Sequence, residues 1–149
     1  MARRDQVARL REIGKVRDVQ RQVAEADAAR AAAGLAEART RRDQGAERQD
    51  EDEARCAAVL ARPSIDLALV QAWGATAEAS RADLALLDAR VRDADDLKTA
   101  RSEAWRTALA RARLVELLER RAVRRARRVR EEALLADLVD RVAQRRPGR

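Results

Sequence analysis

The sequence contains no histidine, no tyrosine and no phenylalanine, and a single cysteine, Cys56. Without imidazoles, and with one thiol, no disulfide can close within the chain and no zinc site of the usual ligand types can form. The nucleophile–base pairs of common hydrolases are missing as well. Gly14-Lys15 runs into Val16 with no upstream glycine at the right offset, so there is no phosphate loop. The chain is therefore expected to be non-enzymatic and to need no cofactor. Two prolines and five glycines in 149 residues leave few places to turn. Sandwiches, barrels and α/β folds need many turns and strand formers, so they are excluded. The longest uncharged stretch, residues 67–77, falls far below the roughly 20 residues that span a bilayer. Residues 1–5, Met-Ala-Arg-Arg-Asp, lead into no apolar run, so no signal peptide is expected and a cytoplasmic location is.

What the chain does contain is helix former. Forty per cent of its residues are charged, and Ala, Arg, Leu, Glu and Asp dominate the rest of the pattern. Net charge +7 is unevenly spread. Residues 1–50 hold 12 basic and 9 acidic groups, residues 51–100 hold 6 and 10, and residues 101–149 hold 15 and 7.

Arg62-Pro63-Ser64-Ile65-Asp66 is the one strong internal break. Proline removes a backbone donor and pushes the preceding residue out of helical angles. The expected fold is all-α: one long antiparallel two-helix coiled-coil hairpin over residues 1–149, with a C-terminal helical overhang. Helix one is expected over about residues 4–61, the turn over 62–65 and helix two over about 66–144, with a frayed tail at 145–149. Ser64 or Asp66 would cap the second helix. In helix one, Val7, Leu10, Ile13, Val16, Val19 and Val23 form a drifting apolar stripe that continues through Ala26, Ala29, Ala33 and Ala36. In helix two, Leu84, Leu87, Val91, Ala94, Leu97, Ala104, Ala108, Ala112 and Val115 do the same. Spacings of three and four describe a narrow seam. An alanine seam buries little area and adheres weakly.

With the reversal near residue 64, Leu10 should face Leu118, Trp105 should face Val23 and Ala24, and Asp50 to Glu53 should lie near Trp73 and Ala77. At 1.5 Å per residue the helices would be about 85 and about 115 Å long. Residues from about Arg128 to Gln144 would then lack a partner, yet Leu135, Leu138 and Val142 form an apolar stripe widened by Leu134 and Val139. Such a stripe implies burial against another molecule, a dimer or a folded-back tail. Arg120, Arg121, Arg124, Arg125, Arg127, Arg128 and Arg130 form a basic collar, read either as a contact for an acidic partner or as solvated helix surface. Nucleic-acid binding would call for stacking aromatics or a recognition helix, and neither is present. Asp50 to Glu53 and Asp93 to Asp96 lack the glycine turn of a calcium loop and read as solvated surface. Trp105 reads as seam packing, and Trp73 either as packing near the turn or as a partner contact.

The chain resembles the FliJ family, the small coiled-coil stalks of the flagellar type III export apparatus, with SctO as the injectisome counterpart. The likeness covers essentially the whole length and layout. It is carried by Ala104-Trp105-Arg106, Leu117-Leu118-Glu119-Arg120 and the tail from Leu135 to Arg145, where Ala136-Asp137 stands in place of the family's acidic pair. The resemblance implies a fold like the central stalk of rotary ATPases. The end bearing both termini would sit in the pore of the hexameric export ATPase, through Val7, Leu10, Leu135, Leu138, Arg141, Val142 and Arg145. It further implies binding to the cytoplasmic domain of the FlhA-type export gate through Trp73, Ala77, Ser80 and Leu84. Export chaperones are a further partner class, and the membrane would be reached only through partners, at the cytoplasmic face of the inner membrane. The rival readings are a homodimeric coiled-coil scaffold and a basic nucleic-acid or membrane-surface adaptor.

Overall fold

The computed structural model describes residues 2–64 and 66–144. Two helices account for nearly all of them: α1, Ala2–Leu60, and α2, Leu67–Gln144. They pack antiparallel as an all-α hairpin, and no strand occurs among the described residues. The break falls where Pro63 places it. The last turn of α1 tightens, with the Ala61 N–H donating to the Ala57 carbonyl at 3.1 Å and the Arg62 N–H to Val59 at 3.3 Å. Asp66 caps α2, its Oδ1 accepting from the amides of Ala68 at 3.0 Å and Leu69 at 3.3 Å. Of the two candidate caps, the carboxylate takes the role.

The helix pair divides into two compact units. Unit I comprises residues 1–24 and 105–149; unit II comprises residues 25–104.

In unit II the covered face of α1 runs Ala28, Ala31, Leu35, Ala38, Arg42, Gly45, Gln49, Asp52, Cys56 and Val59. On α2 it runs Val70, Trp73, Ala77, Ser80, Leu84, Leu87, Val91, Ala94 and Lys98. Steps of three and four alternate without a fault, which is the seven-residue repeat of a coiled coil. Ala31, Leu35, Val59 and Ala77 are the buried apolar side chains. Leu87 packs over Gly45, where an added Cβ would lie 2.5 Å from its Cδ1. Ion pairs flank the seam: Arg42 to Asp88 at 3.0 Å, Arg81 to Glu53 at 2.9 Å and Arg101 to Asp27 at 3.3 Å. Their numbers place the reversal near residue 65. Exposed pairs of this kind set register more than they stabilise.

In unit I the same repeat selects Val7, Leu10, Gly14, Arg17, Arg21 and Ala24 on α1. Trp105, Ala108, Ala112, Val115, Glu119, Ala122 and Ala126 answer on α2. Gly14 faces Val115, whose Cγ1 lies 3.8 Å from where a Cβ would be, and Arg11 pairs with Glu119 at 3.1 Å. The expected α1 stripe is therefore corrected beyond Leu10. Ile13, Val16, Val19 and Val23 are exposed, as are Ala26, Ala29, Ala33 and Ala36 in unit II. On α2, Leu97 and Ala104 are exposed too. The reason is geometric. Ile13, Val16 and Val23 each precede a seam residue by one position, about 100° around the helix, and a two-helix pair covers only one narrow face of each member. Apolar spacing finds a stripe but does not say which of two neighbouring stripes meets the partner.

Candidate interaction surface

Unit I carries the unsatisfied surface. From Arg127 to Ala143 every residue of α2 is exposed. Within this stretch Leu135, Leu138, Val139 and Val142 follow i, i+3, i+4, i+7 spacing, and Leu134 sits beside them. Leu135 is 62% exposed and Val142 64%. Isolated surface leucines are ordinary; a continuous stripe on a helix segment without a covering neighbour is not. Arg141 stands next to the stripe and is exposed, whereas Arg145 lies outside the described residues. Val7 and Leu10, expected to share this surface, are half-buried seam residues.

The arginine run splits over two grooves. On one flank, a groove of about 500 Å³ has a floor of Leu10, Leu118, Ala122, Ala126 and Val129, and Arg121, Arg125 and Arg128 along its sides. On the other, a groove of about 450 Å³ lies between Val7, Ala8, Arg11, Val123, Arg127 and Arg130. Arg120 pairs with Glu116 at 2.5 Å and Arg127 with Glu131 at 2.8 Å, both along the helix. Arg124 is exposed. The run thus surrounds α2, putting positive charge on both flanks at this level of unit I.

The four residues expected to meet an export gate do not form a free patch. Trp73, Ala77, Ser80 and Leu84 all lie on the α2 seam of unit II. Ala77 is 5% exposed. The Ser80 hydroxyl donates to Asp52 and, at 3.1 Å, to the Thr76 carbonyl. The Trp73 ring lies under the Arg55 guanidinium, 5.7 Å from its centroid, whereas the acidic run meets Ser80 and Arg81, through Asp52 and Glu53. An i, i+4, i+7, i+11 series is the spacing of a coiled-coil seam, and here the hairpin itself uses it.

Polar side chains join in pairs and small groups along and across the helices. Hydrogen bonds from Gln49 at 2.9 Å and then from Arg81 hold the Glu53 carboxyl below its usual range. Asp88, with Asp43 behind it, holds the Arg42 guanidinium above its usual value. Among the described residues no cluster of three metal-ligating side chains occurs, and Cys56 is a free, half-buried thiol. Among the described residues no helix is long and apolar enough to cross a membrane. Trp105 is half-buried, and its indole N–H has no hydrogen-bond partner. Sequence reading misses the exposed Leu114, Leu117 and Leu118. The signal was the step from Val115 to Glu119, which leaves Leu114 and Leu118 one position off the seam.

Comparison with protein-family models, with curated proteins and with solved structures finds no match to this chain.

Proposed function

We propose that the chain is a non-enzymatic stalk that inserts the exposed end of α2 into a ring-shaped partner, in the manner of the FliJ-like proteins it resembles. One observation carries the reading: an apolar stripe over Leu135, Leu138, Val139 and Val142 stands uncovered on α2, beyond a belt of arginines. Burying that stripe would gain roughly 1.5–3 kcal/mol for each large side chain fully covered. The arginines would meet acidic residues at the mouth of the ring.

Under this reading the partner is the hexameric ATPase of a type III export apparatus, at the cytoplasmic face of the inner membrane. Hydrolysis belongs to the ring. A single asymmetric helix pair in a six-fold pore contacts the subunits unequally and biases their nucleotide states through differential contacts. Coupling to an export gate belongs to the same reading.

Replacing Leu135 and Leu138 together with Asp tests this. Both are exposed, so helicity by circular dichroism should be unchanged while stimulation of the candidate ATPase is lost. Normal stimulation by the double variant sinks the pore assignment. A homodimeric scaffold instead predicts sedimentation as a dimer that the same substitutions dissolve. A nucleic-acid or membrane-surface adaptor predicts salt-sensitive binding to DNA or anionic vesicles.

A further inference from the structure

Unit I exposes a second apolar surface, separate from the end of α2. In an antiparallel pair, the residues one position before the seam on each helix flank the same side. Leu118 and Arg125 precede seam residues Glu119 and Ala126, Gln6 precedes Val7, and all three line the 500 Å³ groove. By the same offset Ile13 precedes Gly14 and Leu114 precedes Val115, the pair in contact across the seam. Ile13, Val16, Leu114 and Leu118 therefore belong to one face, 46%, 57%, 56% and 41% exposed. Four branched apolar side chains from two helices, continuous with an apolar groove, are more than scattered surface residues.

We infer that this face is a docking site for an acidic amphipathic helix of a partner protein, which lies along the groove between α1 and α2 and locally completes a three-helix coil. The shape calls for a helix: the trough runs between two helices, and no strand edge is available among the described residues. From Leu114 to Arg125 the trough extends about 17 Å along α2, so about three turns of partner would cover it. Charge decides the partner's sign. Unit I holds 21 basic and 9 acidic residues. The groove is lined by Arg121, Arg125 and Arg128, with Glu132 as its only acid among the described residues. A second copy presenting the same face would bring this positive charge against itself. A nucleic acid would satisfy the arginines and leave the leucines wet. An acidic helix with an apolar stripe satisfies both. The inference does not depend on the export reading.

The probe is a fluorescent, end-blocked synthetic helix of about 18 residues, with leucines at three- and four-residue spacing and glutamates elsewhere. It is titrated against the full chain by anisotropy. Saturable binding is expected, weakened about tenfold or more by Ile13→Ser with Leu114→Ser, and by Arg121→Glu with Arg125→Glu. Both double variants alter exposed positions, and each should keep its helical circular dichroism. Leu135→Asp with Leu138→Asp should leave probe affinity unchanged, which separates this site from the stalk proposal. Equal binding of a peptide whose leucines are serines would reduce the contact to charge attraction and overturn the inference. So would full affinity in the Ile13/Leu114 variant, absence of saturable binding, or a dimer in sedimentation that the Ile13/Leu114 substitutions dissolve.

Discussion

Unit II covers more of its apolar surface than unit I does. Among the described residues the four buried apolar ones, Ala31, Leu35, Val59 and Ala77, all belong to unit II. Of the eighteen large hydrophobic residues that stay exposed among the described residues, fourteen belong to unit I. The charges diverge in parallel: 12 basic against 17 acidic residues in unit II, 21 against 9 in unit I. One seven-residue repeat runs through both, so the difference lies in what occupies its positions. The unit II seam keeps Leu35, Val59, Leu84, Leu87 and Val91 inward, beside Arg42, Gly45, Gln49, Asp52, Ser80 and Lys98. Unit I puts Gly14, Arg17, Arg21 and Glu119 there and moves its branched side chains outward. A region that is satisfied within the chain is a framework, and one that keeps greasy and cationic groups outside is built to be completed by another molecule.

Truncation of a large side chain should break or confirm that contrast most strongly. Leu35→Ala in unit II should destabilise by about 2–4 kcal/mol, since Leu35 is 5% exposed. Leu135→Ala in unit I should change stability by less than about 0.5 kcal/mol. Comparable losses in urea unfolding would erase the distinction. Glycine replacements sharpen it on a smaller scale. Gly34 has open space where a Cβ would go, so Gly34→Ala should stabilise by about 1 kcal/mol. Gly45→Ala gains the same propensity but forces Leu87 Cδ1 aside, and it should therefore stabilise less than Gly34→Ala or destabilise. A melting temperature for the Gly45 variant above that of the Gly34 variant would show that the close approach is loose.

Trp105 offers a test inside unit I. Its unpaired indole N–H is a desolvated donor, so Trp105→Phe should lose much less stability than Trp105→Ala. Equal losses would show that the indole nitrogen is satisfied by water. The smallest effect is acid sensitivity in unit II. Glu53 is held below its usual pKa by Gln49 and Arg81, with Asp52 and Arg55 nearby on its own helix. The stabilisation is present above the carboxyl's unfolded value and fades as pH falls through its lowered folded value. Glu53→Gln should remove that part of the pH dependence and leave the neutral-pH fold intact. An unchanged acid limb in the variant would assign the effect to other carboxylates.

How far the sequence discloses this molecule depends on the kind of signal. Pro63 and Asp66 act locally, through a missing donor and a side-chain acceptor, so helix ends and the reversal are legible to within a few residues. The uncovered stripe at Leu135, Leu138 and Val142 is legible because it follows from unequal helix lengths. The α1 seam is not. Ile13, Val16 and Val23 make a better-looking stripe than Gly14, Arg17 and Ala24, and only the pairing of two helices shows which one turns inward. Trp73, Ala77, Ser80 and Leu84 illustrate the same ambiguity in reverse, since a seam and a docking stripe share one spacing.

Backbone amide hydrogen exchange on the full chain, alone and with the candidate ring ATPase, tests the central claim directly. Seam amides of unit II, around Leu35 and Ala77, should be protected in both samples. Amides from Ala133 to Ala143 should exchange fastest among the helical residues when the chain is alone, and slow markedly when the ATPase is added. Strong protection of 133–143 in the isolated chain, or exchange there that the ATPase leaves unchanged, would contradict the account.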